Sequence, residues 1–226
     1  MKHRLLVLMF VACIVAIPAA AGPVGVTLTG TGGVSQGGVI VAPYYLTVTG
    51  LNGGKPMAVM CDDYTHSVYV GESWSASIQT FATLSGTRFG AGAFQQYAEA
   101  AWLFTQFLAN PSKAGNINFA EWYLFAPTQV AANHGGWTAG AQAWFAAAQT
   151  WFSSNCSASG KSCSGINLAQ FIFITPTNLT GPGSPQEYIA MVTPEPASIA
   201  LFAVGLLFLG FLTRKFSAKQ ASGMTL

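Results

Sequence analysis

Residues 37–50 read GGVIVAPYYLTVTG. Two runs of β-branched and aromatic residues stand between glycines, parted by Pro43. Such side chains suit a pleated, half-buried surface, and Gly-rich punctuation supplies the turns between strands. The same texture extends on both sides, through VGVTLTGTGG before it and MAVMCDDY, HSVYVGESWSASI after it. Strands are predicted near 24–30, 38–49, 57–62, 66–70 and 74–80. From Ala93 onward the period changes. AFQQYAEAAWLFTQFLAN places Phe94, Tyr97, Ala101, Phe104 and Leu108 along one helical stripe, closed by Asn110-Pro111. A second helix is predicted over Ile117–Phe125, stopped by Pro127 and resuming briefly before His134. A third covers Ala139–Phe152. LAQFIFITP then reads as a buried strand, and Gln186–Val192 as one more. Strands, helices, then strands again argue for α+β: an antiparallel sheet or sandwich with about three helices on one face.

Both ends differ from this middle. Residues 1–21, MKHRLLVLMFVACIVAIPAAA, place Lys2 and Arg4 ahead of an apolar stretch and small residues at Ala19 and Ala21. This is the three-part pattern of a secretory signal peptide, with cleavage after Ala21. The formal charge of +2 is concentrated in the termini, since residues 22–193 carry four Lys or Arg against six Asp or Glu. A domain with net charge −2 and no basic patch lacks the electrostatic footprint of nucleic-acid binding. Of four cysteines, Cys13 leaves with the signal peptide. Cys156 and Cys163 lie in the polar loop NCSASGKSCSG, where an oxidising exterior favours their disulfide, and Cys61 is left unpaired.

The chain closes with TPEPASIALFAVGLLFLGFLTRKF, residues 193–216. The apolar run Ala197–Leu212 would span about 24 Å as a helix, short of a hydrocarbon core of about 30 Å. Arg214, Lys215 and Lys219 then favour the cytoplasmic side, with the domain outside. The arrangement resembles the PEP-CTERM sorting signal: Pro194-Glu195-Pro196, a short apolar helix and a basic end. The resemblance implies recognition of the tripeptide by an exosortase, a membrane-embedded cysteine protease, usually in bacteria that make exopolysaccharide. The expected organisation is a signal peptide at 1–21, an exported domain at 22–192, a sorting signal with a transmembrane helix at 193–216 and a cytoplasmic tail at 217–226.

Within the domain, VMCDDYTHSVYVGESWSASI resembles a segment of thioester domains in surface adhesins. Those domains carry a later Gln in a Gln-x-Ala-x-Trp-like helix, and here Asn118-Phe119-Ala120-Glu121-Trp122 falls at that place. The resemblance implies Cys61 and Asn118 as a thioester-like pair, either reactive or an inherited scaffold without the bond. Asn is one methylene shorter than the Gln such acyl chemistry uses. Asp62, Asp63 and His66 are too few for zinc, with His134 the other histidine of the domain, and lack the oxygen ladder of a calcium loop. They are expected to be solvated or turn-capping carboxylates, with no metal and no cofactor. SGKS at 159–162 lacks the glycine of a phosphate loop, and HGGW at 134–137 has no accompanying G-x-S-x-G. Trp102, Trp122, Trp137, Trp144 and Trp151 could stack on sugars, although helical spacing places most in the core. The carboxylates are scattered, so no catalytic residue is assigned. The expectation is an exported, non-enzymatic component of an exopolysaccharide matrix, with a covalent adhesin or a polysaccharide-acting enzyme as alternatives.

Overall fold

Strand β1 (Val24–Thr31) sets the architecture, because it is hydrogen-bonded along both edges. In the computed structural model, which describes residues 22–157, 161–180 and 183–192, it is followed by a short hairpin of β2 (Ser35–Gln36) and β3 (Val39–Ile40). Strands β4 (Tyr44–Val48), β5 (Met57–Cys61) and β6 (Ser73–Gln79) come next. Helices α1 (Phe94–Ala109), α2 (Ala114–Phe125), α3 (Pro127–Ala132) and α4 (Ala139–Asn155) then precede the hairpin β7 (Cys156–Ser157) and β8 (Ser162–Cys163). Strands β9 (Phe171–Pro176) and β10 (Tyr188–Met191) complete the order.

The large sheet runs β1-β4-β5-β10-β9-β6 and closes on β1, with every pairing antiparallel. The expected open sheet or sandwich is thereby corrected to a six-stranded barrel, and four helices replace three. Closure removes the free edges that an open sheet exposes. The register shows why. Val26 faces both Val48 and Trp74, Tyr44 faces Val59, Cys61 faces Tyr188, and Tyr188 faces Ile174. Cross-strand partners share a face, so these residues line one continuous interior. Val26, Leu28, Leu46, Val48, Val59 and Ile174 are at most 1% exposed there. Each such burial contributes about 1.5–3 kcal/mol.

Two further predictions are revised. Residues 38–49 form two strands instead of one, because Pro43 has no N–H to offer a ladder. Residues 66–70 form no strand at all.

On the outer wall, Met60, Phe171, Phe173 and Ile189 are also buried, because α1 packs on β10 and α2 on β5. This double cover accounts for the unbroken apolar run of β9, buried at all six positions. Helix α1 turns Phe94, Tyr97, Ala101 and Phe104 inward, while Leu108, expected on that stripe, is 45% exposed. Helix α4 lies across α1 and α2, and the Thr138 hydroxyl caps it by accepting from the Ala141 N–H. Just beyond α4 a disulfide joins Cys156 and Cys163, which face each other across β7 and β8. The chain divides after Met191 into two compact units, the second beginning at Val192. The signal peptide, the sorting signal, the apolar run 197–212 and the tail lie outside the described residues. Among those described, no helix is long and apolar enough to cross a membrane.

Candidate functional site

At one end of the barrel, β5 runs out into Asp62-Asp63 and β10 is entered through Gln186-Glu187. The Cys61–Tyr188 pairing extends one residue further, through a 3.3 Å bond from the Asp62 N–H to the Glu187 carbonyl. Cys61 and Tyr188 point into the barrel. Strand alternation therefore sends Glu187 and its neighbour Thr175 to the outer wall, beneath the helices. There Tyr97 of α1 reaches down, and α2 supplies Asn118, Glu121 and Trp122, which share one face at i, i+3 and i+4.

Asp63 is held by a clasp. Its Oδ1 accepts from the N–H (3.0 Å) and the hydroxyl (2.9 Å) of Thr65, and its Oδ2 lies 2.8 Å from His66 Nδ1. Arg88 Nε stands 2.9 Å from the same Oδ2 as an ion pair, although its N–H is not aimed at the oxygen. The rest of the guanidinium donates to the carbonyls of Leu179 and Pro185 and to the Ser184 hydroxyl. Asp63 takes the turn-capping role of the two that were expected, and is 1% exposed.

Asp62, expected to be solvated or turn-capping, is neither: it is fully buried and has no cation. Neither of its oxygens accepts a bond from an N–H or hydroxyl donor, and its contact is with the Glu187 carboxyl. Two carboxyls meet in this way when one carries the proton. Burial, and then the charges of Glu187, Glu121 and Asp63, push Asp62 well above the carboxylate range. Burial also raises Glu187, opposed by bonds donated from the Thr175 and Tyr97 hydroxyls and the Arg88 N–H. Glu121 is raised by burial and holds one bond, from Asn118 Nδ2 at 3.1 Å. The carboxylates that look scattered in sequence thus converge, and burial favours the protonated form of Asp62, Glu121 and Glu187 alike. Among the described residues, no three His, Cys, Asp or Glu converge so as to hold a metal ion.

Beside this layer opens a cleft of about 620 Å³ at the barrel mouth. Leu28, Tyr44, Trp122 and Gln186 form its inner part, and Ile40, Tyr69 and Val70 its rim. His66 is its one ionisable side chain apart from tyrosines, and none of the buried acids lines it. The arrangement offers a recess lined by no Asp, Glu, Lys or Arg side chain, while the buried acids remain sealed behind the wall.

Cys61 and Asn118 do come together, but through the backbone. Asn118 Nδ2 donates to the Cys61 carbonyl (3.0 Å) and its Oδ1 accepts from the Ala42 N–H (2.9 Å). The thiol donates to the Asp63 carbonyl at 3.2 Å, and burial followed by the Asp63 and Asp62 charges pushes it up, away from the nucleophilic thiolate. The adhesin resemblance receives no support, and an amide committed at both ends is structural. Of the tryptophans, only Trp122 is buried; Trp102, Trp137, Trp144 and Trp151 are half-exposed, which corrects their expected core placement. Trp102 and Trp151 lie with ring centroids 5.9 Å apart, and Trp137 stacks on Tyr123 at 4.0 Å.

Sequence reasoning missed Arg88, Tyr97, Thr175 and Glu187 as partners. A usable signal was present: Glu121 in NFAEWYLF and Glu187 in QEYIAMV are single charges inside apolar runs, which burial forces to find partners or protons. Residues 192–215 match the PEP-CTERM protein-sorting motif. The PEP-CTERM match contains Pro194-Glu195-Pro196 and starts at the residue after the last barrel strand. It marks an exosortase-targeted extracellular protein. No curated protein and no solved structure matches the chain.

Proposed function

We propose that this is an exported, non-catalytic protein of an exopolysaccharide matrix, where its barrel domain acts as a structural or adhesive component. Residues 1–21 direct export. Ala197–Leu212 then holds the chain in the inner membrane with the domain outside, and exosortase acts at Pro194-Glu195-Pro196 to pass it to the cell surface or medium. The observation that carries this reading is the position of the PEP-CTERM match, which begins where the barrel has already closed at Met191. Cutting there leaves every strand pairing of the described residues intact. The matrix role is supported by the low charge of the domain and its half-exposed tryptophans, side chains suited to packing on neutral sugar rings. Replacing Pro194, Glu195 and Pro196 together by Ala, in the chain's own host, tests the reading. The unprocessed chain is expected to accumulate in the membrane and to disappear from the polysaccharide fraction. An unchanged size and distribution would leave a plain tail anchor.

A further inference from the structure

The cleft at the barrel mouth has the size and the position of a ligand site. Its volume of about 620 Å³ lies within the range of about 300–1,000 Å³ usual for small-molecule pockets, and the mouths of β-barrels are one of the regular places for them. Aromatic rings form much of the lining. Tyr64 and Trp122 meet there with ring centroids 5.0 Å apart and planes inclined at 57°, and Tyr44 and Tyr69 line it as well.

Polar groups with capacity to spare stand among these rings. His66 spends Nδ1 on Asp63 Oδ2 (2.8 Å) and on the Thr65 hydroxyl (3.1 Å). Asp63 is the ion-pair partner of Arg88, so its carboxylate accepts and Nδ1 carries the hydrogen. The neutral ring then presents Nε2 as an acceptor, and that atom has no partner among the described residues. The Tyr64 hydroxyl accepts from Asn133 Nδ2 (3.0 Å) and keeps its own proton to donate. Among the described residues, neither the Ser67 hydroxyl nor the N–H and C=O groups of Ser67 and Val68 enter a hydrogen bond.

We infer that this cleft binds a neutral saccharide, a few sugar rings of a polysaccharide chain, with a sugar hydroxyl donating to His66 Nε2 and a ring face packed on the aromatic lining. The inference rests on the exopolysaccharide reading and gives it a site. The lining selects the class. An occupant must bring hydroxyl donors for His66 Nε2, acceptors for the Tyr64 hydroxyl and the Ser67 and Val68 amides, and an apolar face for the rings. A sugar ring carries all three. A fatty chain would leave those polar groups dry, at about 1–3 kcal/mol for each one unsatisfied. An anionic ligand finds no Lys or Arg in the lining and meets the exposed Glu72 carboxylate, which accepts from the Tyr69 N–H at the rim. A peptide strand needs a continuous run of free amides, and here the Tyr69 N–H is taken by Glu72 and the Gly71 N–H by the Leu28 carbonyl.

The test uses the exported chain purified from its own host, on a printed array of neutral hexose oligosaccharides and acidic uronate oligosaccharides. Neutral glycans are expected to bind and acidic ones to bind more weakly. The strongest neutral glycan is then titrated by calorimetry, where His66→Ala and Tyr69→Ala are each expected to weaken binding about tenfold. Trp151→Ala, a half-exposed ring of α4 outside the lining, is expected to leave it unchanged. Circular dichroism reports whether His66→Ala disturbs the Asp63 clasp; Tyr69→Ala, at a position 72% exposed, decides in that case. The inference is overturned if no glycan binds, if the acidic set binds more tightly, if Trp151→Ala abolishes binding while Tyr69→Ala does not, or if an uncharged pentapeptide is captured in place of any glycan. The matrix reading is judged separately, by whether the processed chain is found in the polysaccharide fraction of its host, so a cleft that binds no sugar leaves that result standing.

Discussion

Asp62 and Asp63 are adjacent in sequence, equally buried, and solved in opposite ways. Asp63 has a hydroxyl, an amide, an imidazole and a guanidinium around it, so its charge is matched where it stands. Asp62 has no cation and no N–H or hydroxyl donor at its oxygens, and burial beside Glu187, Glu121 and Asp63 favours its protonated form. One residue of strand alternation separates the two surroundings. The comparison teaches that a buried carboxyl is made tolerable either by a cation or by a proton, and that the two solutions respond differently to mutation and to pH.

The largest expected effect comes from the matched side. Arg88→Ala strips Asp63 of its counter-ion and leaves that charge buried, at a cost of about 3–5 kcal/mol in chemical denaturation. Adding Asp63→Asn should recover part of the loss, since the stranded charge goes with it. If the double variant is no more stable than the single one, the clasp is not electrostatic. A smaller loss, about 2–3 kcal/mol for so short a loop, is expected from replacing Cys156 and Cys163 by Ser. Because that hairpin touches neither aspartate, the variant should keep the wild-type dependence of stability on pH.

The smallest effect belongs to Asp62. Its folded-state pKa is raised, as are those of Glu121 and Glu187. Folding therefore binds protons: this contribution is complete below the unfolded carboxylate value of about 4 and declines as pH rises toward the folded values. Asp62→Asn supplies a permanent donor to Glu187 and should flatten that decline, with a gain of about 1 kcal/mol at neutral pH. Urea titrations at acidic and neutral pH measure both. An unchanged slope would mean that Asp62 carries no proton and that the contrast with Asp63 is not one of charge.

How far this was legible in sequence follows from periodicity. Alternation in VGVTLT and the 3.6-residue stripe from Phe94 to Phe104 report local burial, and the α+β class and three long helices could be read from them. Barrel closure depends on β1 pairing with β6 and β9 with β6, contacts that no local pattern encodes. HSVYV shows the converse error, where strand propensity is present but no partner strand stands among the described residues. The buried acids were hidden because their partners lie far away in sequence: Glu187 is bonded by Arg88, Tyr97 and Thr175, and Asn118 reaches Cys61. Pro194-Glu195-Pro196, by contrast, is a contiguous signal and needs no fold to be read.

The central claim, that a barrel completed at Met191 is released by processing at the motif behind it, meets its most direct test in the intact mass of the chain recovered outside the host cell. The account predicts a chain that begins at Gly22, ends within or close to Pro194–Pro196, and is two hydrogens lighter for the Cys156–Cys163 bridge. A recovered chain that retains residues 197–226 would contradict it.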